Sequence, residues 1–191
     1  MKKLRLAIFA SGNGSNAEAI IKHLLNSATV EVSRIYSNNK DAYVIERGKK
    51  FNISTDIFNK IEFTSQEFSE TLLNKKYDLI ILAGFMWLVP PSIVASYKNK
   101  IINIHPALLP AYGGKGMYGD NVHQAVIENN ENESGITIHY VNEYYDEGDI
   151  IFQTKCTVLN TDTPDSLAER IHKLEHQHYP KVIEKLCAEI L

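Results

Sequence analysis

The stretch Asp78-Leu79-Ile80-Ile81-Leu82-Ala83-Gly84, "DLIILAG", decides the fold. Its apolar run offers no polar face. A strand that is apolar on both sides is covered on both sides, as in the middle of a parallel sheet flanked by helices. Gly84 punctuates its end.

Working outward, apolar runs alternate with segments of helical spacing. Toward the N-terminus, "LRLAIFA" (4–10) is a strand stopping at Ser11-Gly12, and "NAEAIIKHLLN" (16–26) a helix. "VEVSRIYS" (30–37) is a strand, and "AYVIERGKK" (42–50) a helix leading into a short strand around 52–57. "SQEFSETLLNKK" (65–76) is a further helix. Toward the C-terminus, Pro90-Pro91 opens a short helix to about Tyr97, since proline suits a first helical turn. "KIINIH" (100–105) is a strand, 106–120 a loop rich in proline and glycine, and 121–130 a helix. "GITIHYV" (135–141) and "DIIFQTKCTV" (149–158) alternate as strands. From Thr163 a long helix runs on, interrupted or kinked near Pro180. The pattern predicts a Rossmann-like α/β fold: a mostly parallel, open twisted sheet with helices on both faces and a long C-terminal helix. No repeat or linker divides residues 1–191, so one domain is expected.

With 20 Lys+Arg against 23 Asp+Glu, the net charge is −3, which gives no basic footprint for nucleic acid. No run approaches the roughly 18 apolar residues of a membrane span. The N-terminal apolar run, Leu6 to Ala10, is shorter than the ~7–15 residues of a signal-peptide core. Cys156 and Cys187 form no disulfide framework and no Cys-x-x-Cys, as expected of two reduced, buried thiols in a cytosolic protein.

Ligands of open α/β sheets bind beyond the carboxyl ends of the strands, and three polar clusters fall there. "SGNGSN" (11–16) joins the first strand to the first helix. Its glycines allow close backbone approach, and free amides at a helix start favour an anion. It is neither G-x-G-x-x-G nor a Walker loop, so a phosphate monoester suits it better than a dinucleotide. Ser15-x-x-Glu18 also reads as a plain capping box, and Glu18 would set a negative charge near the anion.

"NIHPALLP" (103–110) closes a strand. Asn103 and His105 lie two residues apart and share one face of the sheet. Pro106 forces the chain to leave. An amide donor beside an imidazole can hold a developing oxyanion and move a proton; the same pair can equally satisfy nearby backbone groups. Asp146, in "YYDEG" (144–148), is a carboxylate able to hold an imidazole, or an ordinary turn residue.

Together "SGNGSN", "LAGFM", "NIHPALLP", "GITIHYV" with "DEG", and "LEHQHYP" resemble the folate-dependent formyltransferase family over nearly the whole chain, most of all its members acting on glycinamide ribonucleotide. "GNGSN" and the lack of a further C-terminal domain separate the chain from the methionyl-tRNA type. The resemblance implies a formyltransferase fold and transfer of formyl from 10-formyltetrahydrofolate, as co-substrate and without metal, to the amine of glycinamide ribonucleotide in purine biosynthesis. It implies small-molecule partners only, in a monomer or homodimer. Asn103, His105 and Asp146 match the catalytic trio, with a protonated His105 expected to help hold the oxyanion. Gly14, Ser15, Asn16 and Glu175 match nucleotide-binding positions. Met86, Trp87, Leu88 and Val89, with Asn142, Glu143, Tyr144, Tyr145 and Asp146, match segments lining the folate pterin. The chain departs from the family where arginines are common: Trp87 follows Met86, and Ser65 precedes the helix at 65–76. Lys115 or Lys173 are the candidate replacements, and the glycine-rich loop around Lys115 suits a lid.

Three other readings stand beside it. His172-Lys-Leu-Glu175-His176 fits H-x-x-E-H, with His172 and His176 as zinc ligands of a hydrolase. A non-catalytic folate or nucleotide binder would hold ligand without turnover. Formyl transfer to a sugar nucleotide or to methionyl-tRNA is the third.

Overall fold

The computed structural model describes residues 3–191. Seven strands form one sheet in the order β3-β2-β1-β4-β5-β6-β7. β1 (Leu4–Phe9), β2 (Val30–Ser37), β3 (Thr55–Ile57), β4 (Leu79–Leu82) and β5 (Ile101–His105) are mutually parallel. β6 (Glu133–Tyr140) and β7 (Ile150–Thr157) add an antiparallel edge. The chain runs from β1 outward to β3, then returns to place β4 on the other side of β1. The order therefore switches between β1 and β4, where the opening crevice of such sheets lies.

Helices α1 (Ser15–Leu24), α2 (Val44–Lys50), α4 (Gln66–Lys75), α5 (Pro91–Ser96), α6 (Asp120–Glu128) and α7 (Pro164–Ile190) follow the predicted alternation. Their packing explains the apolar runs. Leu79, Ile81 and Ala83 join Leu6, Ile8, Ile102 and Ile104 in a core beneath α1 and α7. Ile80 and Leu82 join Ala7, Phe9 and Ile101 in a second, aromatic core on the opposite face. There Phe9 stacks on Tyr36 with centroids 4.7 Å apart. β4 is at most 5% exposed at any position. Each such side chain contributes about 1.5–3 kcal/mol by leaving water, so one charge placed in this strand would disrupt a face of the core.

Two local features differ from the sequence reading. A short helix, α3 (Lys60–Phe63), precedes α4, started by a reciprocal capping box. Glu62 N donates to Asn59 Oδ1 at 3.0 Å and Asn59 N to Glu62 Oε2 at 2.7 Å. The interruption expected near Pro180 does not occur: α7 is continuous through it. The missing N–H costs one helical bond, but the helix is pinned on both sides of the proline. Tyr179 Oη donates to the carbonyls of Leu82 (3.0 Å) and Ile102 (3.3 Å), and Ile183 and Cys187 are buried beyond it.

Candidate active site

A cavity of about 460 Å³ opens at the carboxyl ends of β1, β4 and β5. Its walls come from 12–16 after β1, 82–89 after β4, 103–106 after β5, the loop 114–119, and the α7 residues His172 and Glu175. The alternation that sends Ile102 and Ile104 to the α7 side turns Asn103 and His105 the other way.

Asp146 reaches both of them. Its backbone is left-handed, φ 58°, a conformation that aspartate tolerates in turns. The turn is pressed against β6 at Gly148, where an added Cβ would overlap the Tyr140 carbonyl; only glycine fits there. One carboxylate oxygen, Oδ2, accepts from Gly114 N at 3.0 Å and faces His105 Nδ1 at 3.5 Å. The other, Oδ1, lies 3.4 Å from Asn103 Nδ2. His105 is 3% exposed, and its Nε2 donates to the Tyr112 carbonyl at 2.8 Å.

Burial pushes the His105 pKa below the usual imidazole value, against the opposing pull of Asp146 and the Tyr112 carbonyl. Burial alone would raise the Asp146 carboxyl. The neighbouring rings of His139 and His105 and the Gly114 N–H outweigh it and hold the pKa below the ordinary range. At neutral pH the resting pair is thus an uncharged His105 beside an ionised Asp146. In the resting site desolvation outweighs the carboxylate. With the Nε2 proton committed to Tyr112, the open proton-accepting position is Nδ1.

Where the 12–16 loop meets α2, Gly14 is left-handed with φ 75°, and an added Cβ would lie 2.5 Å from Val44 Cγ2. The loop 12–14 is therefore folded tightly onto the start of α2. Asn16 Nδ2 donates to Glu175 Oε2 at 2.9 Å, joining the first helix to the last. Glu175 is 5% exposed, and its burial raises its carboxyl pKa.

At the other end, Met86, Trp87, Leu88 and Val89 line the cavity with Tyr144 and Tyr145. Leu88 N donates to Tyr145 Oη at 3.1 Å and Met86 N to Ser11 Oγ at 3.0 Å, which fixes this wall to its neighbours. Asn142 and Glu143 do not face the cavity; Asn142 Oδ1 instead accepts from Tyr144 N, shaping the turn. Lys115 lines the cavity and Lys173 does not. Ser65 caps α4 through its hydroxyl. Lys60 Nζ lies 4.7 Å from the centre of the Trp87 ring.

Three further residues belong to this region. His139 Nδ1 donates to the Tyr140 carbonyl at 2.8 Å, so its Nε2 accepts from Asn103 Nδ2 at 3.1 Å. His123, on α6, lines the cavity at 2% exposure, and its Nδ1 has no partner among the described residues. Arg47, on α2, bonds the 12–16 loop. His139 stood within a quoted motif, but a histidine in an alternating strand gives no sign of its partner. His123 and Arg47 lie in ordinary helical patterns and carried no signal.

The H-x-x-E-H pattern does not assemble a metal site. Glu175 turns inward to Asn16 while His172 and His176 lie exposed, and among the described residues no group of three or more His, Cys, Asp or Glu side chains is arranged to hold a metal ion.

The fold and the rim define a class. The formyl transferase family model matches residues 4–183, and the chain belongs to that family. Among its relatives, the phosphoribosylglycinamide formyltransferase of Bacillus subtilis is 40% identical over 97% of this chain and 95% of its own length. The chloroplastic phosphoribosylglycinamide formyltransferase of Arabidopsis thaliana is 38% identical over 98% of this chain, which spans 67% of that protein. The crystal structure of phosphoribosylglycinamide formyltransferase from Anaplasma phagocytophilum superposes with a TM-score of 0.88 at 36% identity, covering 98% of this chain and 89% of that one.

Proposed function

We propose that the protein transfers the formyl group of 10-formyltetrahydrofolate to the primary amine of glycinamide ribonucleotide, in purine biosynthesis and in the cytoplasm. The observation that carries the reading is the meeting of Asn103, His105 and Asp146 at one rim, between an apolar wall and a glycine-rich loop.

The amine nitrogen attacks the formyl carbon, and the carbonyl oxygen becomes an oxyanion. Asn103 Nδ2 donates to it, exchanging its long 3.4 Å contact with Asp146 for a charge-assisted bond. The attacking nitrogen must shed one proton, and N10 of the leaving tetrahydrofolate must gain one. His105 carries that proton at Nδ1, and the charge it acquires is balanced by Asp146. The C–N bond to N10 then breaks, giving tetrahydrofolate and N-formylglycinamide ribonucleotide. The ribonucleotide phosphate sits on the amides of Gly14, Ser15 and Asn16, and Glu175 holds the sugar. The pterin lies against Met86–Val89 and Tyr144–Asp146. No step needs a metal. Two free thiols, one of them buried, suit a reducing compartment.

The test is turnover by the purified protein, followed as tetrahydrofolate release. Turnover is expected with glycinamide ribonucleotide and not with an amino sugar nucleotide or methionyl-tRNA. Release that ignores the ribonucleotide would overturn the assignment.

A further inference from the structure

The carboxylate of Glu18 lies in the first turn of α1, where the proposed phosphate would sit, and its side chain is only 14% exposed. An anion site with a fixed negative charge beside it would repel its ligand. The structure resolves this with two cations. Lys22 Nζ is 2.8 Å from Glu18 Oε1, and Arg47 Nη1 pairs with Glu18 Oε2. One carboxylate between two cations leaves the cluster with a net positive charge.

Arg47 does more than neutralise. Its Nε donates to the Asn13 carbonyl at 2.8 Å and its Nη2 to Asn13 Oδ1 at 2.7 Å. One guanidinium thus grips both ends of Asn13 while paired to Glu18. The same helix braces the loop a second way, since Val44 N donates to the Gly12 carbonyl at 3.1 Å. Arg47 does not line the cavity. It works from behind the loop, on the residue that precedes the three proposed phosphate-binding amides.

We propose that Arg47 is a positioning residue for the nucleotide phosphate: it clamps Asn13 and cancels Glu18, so that the Gly14–Asn16 amides are held ready for a phosphate monoester. The proposal rests on the reading of that loop as the phosphate site.

Steady-state kinetics of Arg47→Ala, Glu18→Gln and the double variant test it. Loss of charge-assisted bonds in Arg47→Ala should raise KM for glycinamide ribonucleotide roughly 10- to 100-fold. KM for the folate and kcat should stay within about twofold, because the reaction centre is untouched. The double variant should regain part of the lost affinity, since no bare carboxylate then faces the phosphate. A purely structural role would instead shift all three constants together, with no recovery. An unchanged nucleotide KM in Arg47→Ala, or that uniform loss, overturns the proposal. The underlying phosphate reading is checked separately in the wild type with ribose 5-phosphate. Shifts of the Gly14, Ser15 and Asn16 amide resonances support it, and their absence removes it together with the role of Arg47.

Discussion

Asn103 and His139 are direct partners across the antiparallel pair β5 and β6, and the amide of one donates to the ring of the other over 3.1 Å. Residues facing each other in this way have their Cβ atoms ~5 Å apart, so the bond is built into the strand register. Because His139 Nδ1 is committed to the Tyr140 carbonyl, its Nε2 can only accept. The acceptor fixes which end of the Asn103 amide turns toward the reaction centre.

His139→Phe keeps the volume and removes the acceptor, so the Asn103 amide loses its orientation. We expect kcat to fall on the order of 10- to 100-fold, part of the 10²–10³ attributed to one oxyanion donor. KM for the nucleotide should hold. His139→Gln, which retains an acceptor, should recover part of kcat. Equal kcat for the phenylalanine and glutamine variants would contradict a role through Asn103.

The pH profile has a determined sign. Burial lowers the His105 pKa, so its uncharged form persists below pH 6.5, the ordinary imidazole value. The acid limb of kcat/KM should therefore have its midpoint below 6.5. Asp146 opposes that shift by favouring the charged ring. Asp146→Asn should lower kcat and move the limb to still lower pH. A limb that moves upward would refute the coupling.

Acid stability should depend on His123. Its burial, with the nearby His172 adding to the effect, brings its pKa from 6.5 to about 4. The folded state excludes a proton that the unfolded chain accepts between those values. The stability of the uncharged ring is thus fully present above 6.5 and is lost as pH falls toward 4, amounting to on the order of 3 kcal/mol. Denaturant unfolding from pH 7 to 4 should show this loss, and His123→Gln should flatten it.

Glu175 runs the other way. Its raised pKa means that the folded state favours the protonated carboxyl, so stability falls as pH rises through the folded value. Glu175→Gln keeps an acceptor for Asn16 and buries no charge. Its Tm should exceed that of the wild type at pH 8, by a margin that shrinks toward pH 5, while KM for the nucleotide rises. A lower Tm at pH 8 would contradict the cost of the buried charge.

Much of the fold was legible because burial imprints itself on composition. The double-sided apolar runs at Leu79–Leu82 and Leu6–Ala10 correspond to strands whose alternate residues enter two different cores. No interruption occurs at Pro180: a proline's local cost is visible in sequence, whereas the anchoring of Tyr179 to two carbonyls across the sheet is not. The convergence of Asn103, His105 and Asp146 was expected from motif resemblance; local spacing alone gave only that Asn103 and His105 share a face. The direction in which the His105 pKa moves follows from burial, which only the packed structure supplies. His139 and Arg47 act through partners 36 and 34 residues away, a relation that no local pattern encodes.

The most direct test of the central claim is kcat for formyl transfer by His105→Ala. If the imidazole carries the proton from the attacking amine to the departing folate, kcat should fall by about 10²–10⁴ with both KM values little changed. Turnover within a few-fold of wild type would contradict the account.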